Sequence, residues 1–136
     1  MKKAILVFGM MVTGLGIKAQ TIEVVTKKNL YESGDVSLTQ EGPQKFYFIF
    51  TNDKYQYLTD IGIVGFYTTS DLKTFVTLIN QMLNNPNPEL IVKGKGYTLN
   101  KYDFDPDMVY VTDKDGAYER IGKSQAGYLK EAISGL

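Results

Sequence analysis

The sequence contains no cysteine, no histidine and no tryptophan. Without cysteine there is neither a disulfide framework nor a thiol to carry a lipid anchor, so the fold must hold itself together by packing. Without histidine the chain lacks the commonest general base, the Ser/His and Cys/His nucleophile arrangements, and histidine-based zinc sites. An excess of charge of one sign is also missing. Over the whole chain 15 basic residues balance 15 acidic ones, which leaves no basic footprint for nucleic acid. No apolar run reaches the ~20 residues that a membrane-spanning helix needs.

What is present begins with a patterned N-terminus. Met1, Lys2 and Lys3 precede the apolar run Ala4 to Ile17, which is followed by Lys18, Ala19 and Gln20. A basic start, an apolar stretch of about 7–15 residues and a small residue at the cut together predict a secretory signal peptide. Three glycines in the run argue against a buried helix. The expected division is a cleaved leader over residues 1–19 and one domain over residues 20–136, exported to the periplasm or the extracellular space. Loss of Lys2, Lys3 and Lys18 would leave 12 basic against 15 acidic residues, a mildly acidic product. About 117 residues suffice for one self-sufficient core.

Along this domain, the β-branched residues of Thr21 to Lys27 suggest a strand, Asn29 to Asp35 reads as a turn, and Val36 to Thr39 as a second short strand. Phe46 to Phe50 is apolar at every position, which predicts a strand buried on both sides or covered by a helix. The stretch Tyr55 to Tyr67 is longer than a usual strand, so a break is expected near Asp60 or Gly62. Leu72, Phe75, Val76, Ile79, Met82 and Leu83 then recur at helical spacing, predicting an amphipathic helix over 71–83. Ser70 is the expected cap, and Asn84-Asn85-Pro86 the stop. Glu89 to Val92, Tyr97 to Tyr102, Met108 to Thr112 and Ala117 to Ile121 read as strands, with a hairpin turn at Asp113 to Gly116 and a break over Asp103 to Asp107. A final helix is expected over 124–133, capped by Ser124.

Tyr55 to Leu83 aligns without gaps on Met108 to Leu136, matching Tyr57 with Tyr110, Thr59 with Thr112, Asp60 with Asp113 and Leu83 with Leu136. That hints at a repeated ββα arrangement, beside the simpler reading of an ordinary α+β meander. Either way the predicted fold class is α+β: a mostly antiparallel sheet with both helices packed on one face.

Candidate chemistry is sparse. Asp103, Asp105 and Asp107 alternate as hard oxygen ligands for calcium would, but the glycine and glutamate of an EF-hand loop are replaced by Met108 and Lys114. Gly122-Lys123-Ser124 resembles the end of a phosphate-binding loop, but Ala117 stands where that motif requires glycine. A glycosidase-type hydrolase needs only two carboxylates ~5 to 9.5 Å apart, for which Asp103, Asp105 and Glu119 are the candidates. The abundant tyrosines serve equally as core residues and as rigid contact surfaces with polar tips. No catalytic residue, resident metal or cofactor is assigned. The leading expectation is a non-catalytic binding module for a protein or carbohydrate surface, using Tyr55, Tyr57, Tyr97, Tyr102, Asp103 and Asp105. The alternative is a small carboxylate-dependent hydrolase.

Overall fold

The computed structural model describes residues 8–10, 20–22, 26–53 and 60–136. Phe8–Met10 (β1) pairs antiparallel with Gln20–Ile22 (β2). Most of the predicted leader lies outside the described residues, as do Tyr55 and Tyr57. No helix among the described residues is long and apolar enough to cross a membrane.

The rest of the chain builds the same plan twice. Lys27–Ser33 (β3), Val36–Glu41 (β4), Lys45–Thr51 (β5) and Ile61–Phe66 (β6) form an antiparallel meander in the order β3-β4-β5-β6, followed by helix Thr69–Asn84 (α1). Leu90–Lys93 (β7), Tyr97–Tyr102 (β8), Asp105–Asp113 (β9) and Tyr118–Gly122 (β10) form a second meander in sequence order, followed by helix Lys123–Ala132 (α2). The fold is thus α+β, and its repeating unit is four strands and a helix. The ungapped alignment of the two halves carries Thr69 onto Gly122, one residue before α2, but Ile61 onto Lys114, four residues before β10. The ungapped alignment therefore does not superpose the two units element on element.

One core joins the two units. Alternation along β5 turns Phe46, Phe48 and Phe50 inward and leaves Tyr47 and Ile49 half-buried on the other side, so this strand is covered by a helix on one face only. Phe75 of α1 packs at 5.3 Å from Phe48, 4.8 Å from Phe66 and 5.0 Å from Tyr97 of the second unit, centroid to centroid. Helix α1 touches β5 and β6 on one side and β8 and β9 on the other, while α2 bridges β3 and β10. Asn80 ties the helices together, donating to the carbonyls of Val76 and Ala126.

Several local details differ from the expectations set by the sequence. Asn29 to Asp35 is strand rather than turn up to Ser33, with the reversal confined to Gly34, at φ 55°, and Asp35. Pairing with β4 fixes it there, helped by Thr39 Oγ1 donating to Asn29 Oδ1, so tertiary pairing overrides the turn propensity of these residues. Helix α1 is capped by Thr68, whose Oγ1 accepts from the Asp71 N–H at 3.0 Å, and Ser70 lies inside the first turn. Helix α2 starts straight out of β10 with Gly122 at the cap position, which places Ser124 too late to serve. The last turn of α1 holds no basic residue. Instead Lys101 of β8, 5% exposed, donates to the carbonyls of Met82 at 3.1 Å and Asn85 at 2.6 Å.

Candidate binding face

In β8, β9 and β10 the period-2 alternation sends Leu99, Val109, Val111 and Ile121 into the core. The intervening residues, Tyr102, Tyr110, Tyr118 and Arg120, therefore share the outer face. The register sets their spacing: Tyr110 lies opposite both Asn100 and Arg120, and Thr112 opposite both Thr98 and Tyr118. At the β8–β9 hairpin the pairing slips between Asn100 and Tyr102, so the reversal is completed over Asp103 and Phe104 and Asp105 already faces Tyr102. Phe104 stands at the tip, 73% exposed, and folds back over Tyr102.

The result is a strip of four rings. Phe104 stacks on Tyr102 at 5.1 Å with 15° between the planes, Tyr102 meets Tyr110 edge-on at 4.9 Å, and Tyr110 lies 5.7 Å from Tyr118. Such pairs contribute about 0.5–1.5 kcal/mol each beyond the area they cover, so the strip is held in place before any ligand arrives. Polar groups fix its edges. Tyr110 Oη donates to Asp105 Oδ2 at 2.8 Å, and Arg120 Nε donates to Asp53 Oδ2 at 3.3 Å. Desolvation of the ring and the bond to Asp105 both push the Tyr110 phenol above its ordinary value, so it stays a donor.

No protein-family model, curated protein or solved structure matches the chain.

The face itself must therefore carry the functional argument. Of the residues singled out from sequence, Tyr102 and Asp105 belong to the strip, and Asp103 is exposed in the turn beside it. Tyr97 does not. It is 8% exposed and packs into the core against Phe75 and Phe66, because it sits one step out of phase with Tyr102 on the same strand. Burial raises its phenol pKa, with the Asp71 carboxylate adding to the shift. Phe104 and Arg120 were not anticipated. Tyr110 and Tyr118 stand out once the Asp113 to Gly116 turn is used to pair β9 with β10, which lays Tyr110 beside Arg120 and Thr112 beside Tyr118.

The carboxylates proposed for a hydrolase are separated by the sheet. Asp105 is engaged by Tyr110 on the outer face, whereas Glu119 lies opposite Val111 on the inner face and is 8% exposed. Among the described residues no group of three acidic side chains could hold a metal ion. A cleft of about 860 Å³ lies between β6 and the turns after β7 and β9. Of its three acidic residues, Asp71 lies 4.0 Å from Lys95, Asp113 accepts from the N–H groups of Ile63, Asp115 and Ala117, and Asp115 is exposed in the turn.

Proposed function

We propose that this protein is an exported, non-catalytic binding module that recognises a protein or carbohydrate surface through the aromatic strip of β8, β9 and β10. The observation that supports this reading is the placement of four aromatic rings on the solvent side of a sheet whose opposite side is fully occupied by core. Rigid aromatic side chains with polar tips supply contact area at low entropic cost, and such residues dominate the energy of recognition surfaces. Phe104 and Tyr102 provide the apolar surface, while Tyr118 and Arg120 provide hydrogen-bonding groups at the other end.

The reading is tested by affinity capture from an extracytoplasmic fraction, with the 20–136 domain as bait beside its Phe104→Ala/Tyr110→Ala double variant. A macromolecule enriched by the parent and lost with the variant, at an unchanged circular dichroism spectrum, supports the proposal. Equal capture by both proteins overturns the assignment of this face.

A further inference from the structure

The two sheets meet along a seam that differs from the rest of the core in being polar. As the chain leaves β5, the Asp53 N–H donates to the Tyr118 carbonyl at 2.9 Å, and the Tyr118 N–H returns a bond to Asn52 Oδ1 at 3.1 Å. Asn52, itself buried, also donates from Nδ2 to Asp60 Oδ2 at 2.9 Å. Residues 52 and 53 thus meet the free edge of β10 through one main-chain bond and one side-chain bond. Glu119 sits inside this junction. Its Oε1 accepts from the Arg120 N–H at 2.9 Å, while its Oε2 is fully buried and receives no donor among the described residues. Asp53 brackets this acid, its N–H bonded to the Tyr118 carbonyl and its Oδ2 accepting from Arg120 Nε on either side of Glu119 in the chain.

An ionised carboxylate in that position would leave one buried oxygen unpaired beside a second negative charge, which is costly on both counts. A proton on Oε2 resolves both at once, because the carboxylic acid then donates to Asp53. We propose that Glu119 and Asp53 share one proton across the seam, forming a pH-sensitive latch that is closed when the proton is held and loosened when it is lost. The charged groups facing Glu119 agree in direction. Burial acts most strongly, followed by the hydrogen bond to Asp53 from the loop after β5, then the charges of Asp53 and of Asp35 in the β3–β4 turn. Among the described residues the Arg120 N–H alone opposes them, and the Arg120 guanidinium is turned to Asp53. Together they push the Glu119 carboxyl up to about 8.

The sign of the linkage follows. An unfolded glutamate titrates near about 4.3, so between that value and the raised one the folded chain binds more protons than the unfolded chain. Stability is therefore greatest in the lower part of this window, falls as pH rises through it, and levels off once Glu119 is ionised. Because Tyr118 and Arg120 flank Glu119 on β10, opening the latch also disturbs the far end of the aromatic strip.

The direct test is a ¹³C-NMR titration of the Glu119 carboxyl, assigned by the signal that disappears in Glu119→Gln. A midpoint within about one unit of 8 is expected, and a midpoint in the ordinary carboxylate range overturns the proposal. Independently, the thermal midpoint of the parent should drop by about 10 °C between pH 6 and pH 9, while Glu119→Gln, whose amide mimics the protonated acid, should lose that dependence. Equal slopes in the two proteins overturn it. Should Glu119→Gln fail to fold, Asp53→Asn replaces it. That change removes the facing charge and supplies an amide donor, so the Glu119 midpoint should move down by more than about one unit. A midpoint that stays in place overturns the latch.

Discussion

The two units share one backbone plan but place most of their aromatic residues on opposite sides of the sheet. In the first, Phe46, Phe48, Phe50 and Phe66 point inward, and the outer face carries Tyr47, Ile49, Ile61 and Ile63. In the second the inner face is aliphatic apart from Tyr97, with Leu99, Val109, Val111 and Ile121, and the rings of Tyr102, Tyr110 and Tyr118 are outside. The same residue class therefore does two jobs. Inside the first sheet large rings fill the space under α1, and outside the second they form a surface. In a chain without disulfides, the first unit supplies the bulk that a core of this size needs, which leaves the second free to spend its aromatics on solvent.

Substitutions that remove rings from each unit test this contrast, and the effects should differ by an order of magnitude. Phe48→Ala should cost about 3–5 kcal/mol, because Phe48 is fully buried among Phe50 and Phe75 and its loss leaves a cavity. Denaturant unfolding measures this, and a loss under about 1 kcal/mol would mean that the first unit is not the packed half. The second effect in size probes how far the units depend on each other. Lys101→Met should cost about 1–3 kcal/mol by leaving the buried carbonyl end of α1 unpaired, even though the changed residue belongs to the other unit. Hydrogen exchange would show the loss concentrated in the last turn of α1; uniform loosening of β8 alone would count against that cross-unit cap. The smallest effect is expected for Phe104→Ala. With the ring 73% exposed at a turn, unfolding should change by less than about 0.5 kcal/mol. A larger loss would move Phe104 from surface to structure and weaken the case for a binding face.

Much of this arrangement is legible in the amino-acid sequence, and the parts that are not share a cause. The stripe from Leu72 to Leu83 marks the buried face of α1 because helical periodicity is local, and all six of its residues are buried. The Asp113 to Gly116 turn is legible because Gly116, at φ 91°, occupies a conformation that few other residues tolerate. By contrast, Asn29 to Ser33 has the composition of a turn and becomes a strand only because β4 is there to pair with it. Thr68 and Ser70 are both sound caps, and the choice depends on where the chain from β6 delivers the helix.

The candidate face shows the same division more sharply. Alternation alone establishes that Leu99 and Val111 lie opposite in sense to Tyr102 and Tyr110, since successive side chains in a strand point to opposite faces. It does not say which side is wet, and Tyr97 and Tyr102 stand as equal candidates in sequence although one is core and the other surface. Glu119 is the clearest case. In sequence it is one acidic residue among several, and in the fold its carboxyl is pushed up first by burial and then by Asp53 and Asp35, more than 60 positions away in the chain. The sequence by itself determined the α+β class, the helices, the Asp113 to Gly116 turn and the relative phase of each strand, because these follow from propensities and periods spanning a few residues. Only the tertiary structure decided which face each helix covers, and with it which aromatics are buried, which are exposed and which carboxyl is taken out of water. Those outcomes depend on desolvation by elements distant in the chain, which no local pattern encodes.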